Sequence, residues 1–187
     1  MLSKLFPDDY IDSVYFVDFE KLYIDGFRLL EFDIDNTLVA HGAPADDRAK
    51  ALFSKIKKIG FKVYFLSNNK EERVRTFCDD VDGNGYIYKA GKPDKKAYIR
   101  AAELADVSLD ETIFFGDQIF TDIWGANRAG IRSCMTKPVK KWHEEPQILL
   151  KRFLEAVVLF FYRIVRKKRK LTVPLSKETS YEKSSIN

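Results

Sequence analysis

Short apolar runs alternate with amphipathic stretches through the middle of the chain, and this alternation predicts the elements. Arg28-Leu29-Leu30-Glu31-Phe32-Asp33 reads as a strand. Residues Asp47 to Ile59 read as a helix, with Ala51, Leu52, Ile56 and Ile59 at helical spacing and a stop at Gly60. Phe61 to Leu66, rich in aromatic and branched residues, predicts a second strand, and Lys70 to Cys78 a short helix. Tyr86-Ile87-Tyr88 predicts a brief third strand. Pro93, suited to a first helical turn, opens a helix running to about Leu104. Thr112 to Phe115 is the fourth strand, Gln118 to Ala129 a helix ending at Gly130, and Ile131 to Met135 the fifth strand.

Strands that alternate with helices across short loops predict an α/β fold: a Rossmann-like parallel five-stranded sheet with helices on both faces. Ligands of such sheets sit beyond the carboxyl ends of the strands. The expected organisation is a main domain over 1–140, an amphipathic basic C-terminal helix over 141–170, and a disordered Ser-, Lys- and Glu-rich tail over 171–187.

The apolar positions of the C-terminal segment, from Ile148 to Val165, recur at helical spacing. Its longest charge-free stretch, Ala156 to Tyr162, is far below the roughly 20 residues that span a bilayer. Between Gln147 and Lys170 stand eight basic residues and one acid, Glu155, whereas the whole chain carries only +4. The rest of the chain is therefore net acidic. This split suits an interfacial helix on an anionic membrane, and equally a helix packed on the body with a solvated basic end. No signal peptide is visible, which suggests a cytoplasmic protein, with a peripheral place on the inner face of the cell membrane if the helix binds lipid.

Composition narrows the chemistry. The chain of 187 residues is 45% hydrophobic and 32% charged, which excludes collagen-like, wholly disordered and polytopic membrane proteins. Two cysteines cannot build a disulfide framework, and two distant histidines make a zinc site improbable. A metal here should be held by oxygen, as magnesium is.

The candidate chemistry lies at successive strand ends. The first strand ends in Asp33-Ile34-Asp35-Asn36-Thr37, the second in Ser67-Asn68-Asn69. After the third comes Gly91-Lys92-Pro93, and the fourth ends in Gly116-Asp117-Gln118-Ile119-Phe120-Thr121-Asp122. Each alone could be an ordinary loop. Together they bring four carboxylates, a hydroxyl and a lysine to one edge. That inventory suits a divalent cation and an anionic ligand, and phosphoryl transfer needs it.

These four motifs, in this order, resemble the haloacid dehalogenase-like phosphatases over about Phe6 to Pro138. The resemblance implies that Asp33 is the nucleophile, forming an aspartyl-phosphate, and that Asp35 is the general acid/base. It implies that Ser67 and the amides near Asn68 bind the phosphoryl oxygens, and that Lys92 neutralises Asp33 and the phosphoryl group. Lys89 competes for that last role. Magnesium would be held by Asp33, the carbonyl of Asp35 and Asp117, with Asp122 supporting its water shell or orienting Lys92. Thr37 fits a phosphatase, or simply caps the turn.

Relatives often carry a cap domain. Here 32 positions separate Asp35 from Ser67 and 25 separate Ser67 from Lys92, and each interval is spent on predicted elements. The site should be capless and open, which favours a large substrate. The form of the fourth motif, the N-terminal Leu5-Phe6-Pro7-Asp8-Asp9-Tyr10 and the short length resemble the capless bacterial enzymes similar to phosphatidylglycerophosphate phosphatases. That resemblance implies hydrolysis of a phospholipid head group at an anionic membrane surface. No nucleic acid partner is expected, because aliphatic and Phe side chains dominate the C-terminal segment. The alternatives are a soluble phosphatase of a small-molecule or nucleic-acid phosphate, and a non-catalytic binding protein on the same fold.

Overall fold

The computed structural model describes residues 2–140 and 146–166, with side chains over 3–140 and 154–165. The expected tail over 171–187 lies outside the described residues. The strands are β1 (Asp9–Ile11), β2 (Leu29–Phe32), β3 (Lys62–Leu66), β4 (Gly85–Ile87), β5 (Thr112–Gly116) and β6 (Arg132–Thr136). The helices are α1 (Phe19–Ile24), α2 (Asp47–Ile59), α3 (Glu71–Asp80), α4 (Lys96–Ala105), α5 (Trp124–Ala129) and α6 (Pro146–Arg166). All strand pairs are parallel, in the order β1-β6-β5-β2-β3-β4.

The sheet has six strands rather than the five expected. The sixth is β1, three residues long, which pairs with β6 in register Asp9 to Cys134. Its Asp-Asp-Tyr start after Pro7 has no apolar alternation to announce it. The strand is fixed by tertiary bonds instead: Asp9 pairs with Arg132 at 2.7 Å, and Asp8 accepts from the Ser133 amide at 2.9 Å.

Side chains of alternating parity separate the two faces of the sheet. Leu30 and Phe32 of β2, Val63 and Phe65 of β3, and Ile113 and Phe115 of β5 meet Phe53 of α2 and Phe77 of α3. The Phe32 and Phe115 rings stack at 5.0 Å, and Phe53 stands edge-on to Phe32 at 5.3 Å. On the other face Leu29, Tyr64, Leu66 and Phe114 meet the alanine-rich sides of α4 and α5. Small residues there let the helices lie close to the sheet, and Tyr98 of α4 fills the space between them.

Helix starts follow local chemistry. Asp46 caps α2 by accepting from the Ala49 amide at 2.7 Å, and Gly60 ends it in the left-handed conformation. Pro93 does not open α4: the helix begins at Lys96, after a turn in which the Asp94 amide donates to the Gly91 carbonyl. The predicted helix over Gln118 to Ala129 is divided into a π-helical turn, Ile119–Ile123, and α5. That turn re-aims Asp122 toward the sheet.

The chain runs outward from β2 to β4 on one side and returns through β5 and β6 on the other. The reversal lies between β2 and β5, so their carboxyl ends flank a crevice. A loop, α2 and β3 fill the interval from Asp35 to Ser67, and α3 and β4 fill that from Ser67 to Lys92. Among the described residues nothing is inserted there as a cap. No helix among them is long and apolar enough to cross a membrane.

Candidate active site

The chain leaves β2 through Asp33, whose amide donates to the Phe115 carbonyl at 2.9 Å, so the residue is still tied to β5. Beyond it the loop folds back on itself. The Leu38 amide donates to Ile34, the Asn36 amide to Val39, and Asn36 adopts a left-handed conformation with φ 64°. This return places Thr37 under Asp33, and its hydroxyl donates to Asp33 Oδ2 at 3.2 Å. Thr37 thus does more than cap a turn.

Lys92 enters from the loop after β4. Its Nζ lies 2.6 Å from Asp33 Oδ1 and 2.7 Å from Asp122 Oδ1, with all three side chains nearly inaccessible to solvent. Lys89 is exposed, whereas Lys92 is the lysine in contact with Asp33. Asn68 holds Lys92 by its backbone: the Asn68 side chain accepts from the Lys92 amide at 2.9 Å and donates to its carbonyl at 3.2 Å. Ser67 is buried at the end of β3, and its hydroxyl accepts from the Asn69 amide at 3.2 Å.

Asp117 follows β5 and is fully buried. Asp122 is held by the Gln118 amide at 3.0 Å and passes close over Gly116. A Cβ on Gly116 would lie 2.5 Å from the Asp122 Cβ, so no larger residue fits there. Tyr98 fixes the same turn from below, donating to the Thr121 carbonyl at 2.9 Å.

Asp33, Asp117 and Asp122 offer carboxylate oxygens within 4.8 Å of one another, all buried. Three buried carboxylates facing one lysine leave a surplus of acidic groups. Hard oxygen donors with that surplus fit a divalent cation such as magnesium. The Asp35 carboxylate is not part of this cluster. Asp122 both contacts Lys92 and belongs to this carboxylate cluster, so its position is compatible with either of the two roles expected for it.

The electrostatics of the site are uneven. Burial pushes the Asp33 carboxyl up to about 6, against the pull of Lys92. Burial also works against charge on Lys92, but Asp122 and Asp33 more than offset it and the ammonium is held well above its ordinary range. Burial acts upward on Asp35 too, yet a hydrogen bond from the Gly42 amide at 2.8 Å and the Arg73 guanidinium at 3.1 Å keep it below the ordinary carboxylate range. Asn69 adds a contact at 3.4 Å.

Arg73 is the residue that sequence reasoning missed. It lies in the charged run Lys70-Glu71-Glu72-Arg73 at the start of α3, which reads as a solvated helix face. A usable signal was its spacing from Phe77, one turn on and in the core, over which the guanidinium lies at 5.5 Å. Asn69, two positions past Ser67, was likewise not assigned a part.

The chain matches the family model for haloacid dehalogenase-like hydrolases over residues 34–130. It is 37% identical over 141 residues to the Bacillus subtilis protein named "Probable phosphatase YqeG", covering 74% of this chain and 81% of that one. It is 27% identical over 159 residues to phosphatidylglycerophosphate phosphatase 1, chloroplastic/mitochondrial, of Arabidopsis thaliana. That match takes in 76% of this chain but only 43% of the longer plant protein. Among solved structures, an uncharacterized protein from Listeria monocytogenes serotype 4b shares the fold, with a TM-score of 0.51 at 18% identity. The superposition covers 64% of this chain and 85% of that one.

Proposed function

Because the chain belongs to the haloacid dehalogenase-like hydrolase family and is a phosphatase, we propose that it hydrolyses a phosphomonoester through a phosphorylated Asp33. The observation that carries this reading is the buried Asp33–Lys92–Asp122 cluster at the β2/β5 reversal, with a second, differently held aspartate two residues along. An Asp33 oxygen attacks phosphorus, forming the acyl phosphate as the ester P–O bond breaks. Asp35 gives its proton to the departing alkoxide. It then takes a proton from water, whose oxygen attacks phosphorus, releasing inorganic phosphate and restoring Asp33. Ser67 and the amides near Asn68 bind the non-bridging oxygens. Lys92 balances the charge that builds on them while keeping Asp33 in place.

Magnesium is the proposed metal. Asp33, Asp117 and the Asp35 carbonyl would hold it, and it would offset negative charge on the transferring group. Asp122 serves by fixing Lys92.

The proposed substrate is phosphatidylglycerophosphate, and the product phosphatidylglycerol. A site with no cap inserted over it among the described residues suits a substrate that brings its own bulk, and the plant relative is named for this activity. The test is phosphate release from phosphatidylglycerophosphate in mixed micelles, beside soluble sugar and nucleotide monophosphates, with magnesium or with excess chelator. The lipid should be preferred and the chelator should abolish release. Equal turnover of a soluble phosphate would favour the small-molecule or nucleic-acid alternative, and full activity in chelator would overturn the metal.

A further inference from the structure

Helix α6 meets the body along one narrow stripe. Glu155 is buried and accepts from the Ile119 amide at 2.8 Å, in the very turn that carries Asp122. Val158 packs on Ile119, Ile123 and Met135, and the Tyr162 ring lies 5.9 Å from Phe6. These three positions, spaced three and four apart, form one helix face.

The adjoining face is bare. Leu154, Val157, Phe160, Phe161, Ile164 and Val165 are all exposed, with Phe160 at 61% and Phe161 at 51%. A contiguous run of large apolar side chains at a helix surface is costly in water and marks a place for a partner. The alternative in which the helix spends its whole apolar stripe on the body therefore accounts for the Glu155 face and leaves this one unexplained.

Charge chooses the partner. Glu155 is the sole acid between Gln147 and Lys170, and it is turned into the body. What remains in that stretch of sequence is apolar or cationic, ending in Arg166-Lys167-Lys168-Arg169-Lys170. A second copy of the same helix would bring like charge against like charge. An anionic lipid surface takes the apolar side chains below its headgroups and the basic run at them. We propose that the outward face of α6 docks this protein on an anionic bilayer, with the turn that carries Asp122 braced against the docked helix. The inference deepens the lipid-substrate reading and rests on it for its purpose.

The test uses the full chain and vesicles of phosphatidylglycerol and phosphatidylcholine, which contain no phosphomonoester, so that binding is read apart from turnover. Wild type should co-sediment with these vesicles, and much less with pure phosphatidylcholine. Phe160→Glu with Phe161→Glu should weaken binding by about 100-fold, since two large apolar groups are replaced by charges the lipid repels. Replacing residues 166–170 by glutamine should cost about tenfold or more and flatten the salt dependence. Both variants should keep wild-type turnover of a soluble phosphomonoester, which also reports that they are folded. Vesicle binding unchanged by the double variant would overturn the proposal. So would a wild type that ignores vesicles, including one that forms a dimer which the double variant dissociates. Failure to hydrolyse phosphatidylglycerophosphate, with vesicle binding intact, would instead count against the substrate alone.

Discussion

Asp33 and Asp35 stand two residues apart and live in opposite surroundings. Asp33 lies in the crevice among Lys92, Thr37, Asp117 and Asp122, and burial raises its carboxyl to about 6. Asp35 faces the other way, toward Gly42, Asn69 and Arg73, which hold its carboxyl low despite partial burial. The strand geometry explains the divergence: Asp33 keeps the β2 alternation and its bond to β5, whereas Asp35 is already in the returning loop. The difference teaches how the site is coupled to its ligands. In the proposed roles Asp33 acts ionised and Asp35 protonated; burial works against the first and the contacts of Asp35 work against the second. Both are corrected by charge from outside. A divalent cation held among the three carboxylates would favour ionised Asp33, and a bound anionic phosphoryl group would favour protonated Asp35.

The largest effects should come from exchanging the two carboxyls for amides. Asp33→Asn should lose on the order of 10⁴-fold or more in kcat, since an amide is a poor nucleophile. Asp35→Asn should lose about 10²–10⁴-fold, the usual range for a general acid/base. Steady-state phosphate release checks both, and equal mild losses would mean the two roles are misassigned.

Lys92→Met breaks the Asp33 side alone. It leaves two carboxylates buried without their cation and should destabilise the fold by about 3–5 kcal/mol in metal-free buffer. Urea unfolding should show this, and saturating magnesium should recover part of it if the cluster binds the ion.

Arg73→Leu breaks the other side. With the guanidinium gone the Asp35 carboxyl rises, so the alkaline limb of the pH–rate profile should move to higher pH. The loss in kcat should be about tenfold to a hundredfold through misplacement of the carboxyl. The sign for stability is also fixed. A depressed carboxyl stabilises the fold above its unfolded value, near 3.8, and that contribution fades as pH falls through the folded value. The cost of Arg73→Leu should therefore be full at neutral pH and shrink in acid. An unshifted profile would mean that Arg73 does not govern Asp35.

The smallest effect concerns Glu31, which shares the Asp33 face of β2. Its carboxyl is completely buried, has no hydrogen-bond partner among the described residues, and is pushed well above its ordinary range by that burial. A raised carboxyl costs nothing below the unfolded pKa, and destabilises progressively as pH rises above it. Glu31→Met should therefore raise Tm by a few degrees at pH 8, and the gain should vanish near pH 4. A loss of stability at pH 8 would point to a partner for Glu31 that the fold conceals.

What the sequence disclosed was whatever is local. The ends of β2, β3, β4 and β5 could be read because apolar runs stop abruptly at polar clusters. The end of α2 could be read because Gly60 is a strong terminal residue. Asp33, Lys92 and Asp122 could be named from their order along the chain, but not their contacts. Which lysine reaches Asp33, and that Asp122 lies against Lys92, depend on chain reversals that no short window contains. β1 escaped because its pairing is made by β6, more than a hundred residues away. Arg73 escaped because a guanidinium on a charged helix looks solvated until the loop carrying Asp35 folds over it. Glu31 was placed in the right strand, yet nothing local says that both faces there are dry.

The central claim is that the phosphoryl group passes through Asp33. The most direct measurement is a rapid acid quench during turnover of a substrate labelled in its phosphoryl group, followed by peptide mass spectrometry. The account predicts label on the peptide carrying Asp33, released by hydroxylamine as an acyl phosphate is, and absent from Asp33→Asn. Label on another residue, or undiminished label and turnover in Asp33→Asn, would contradict it.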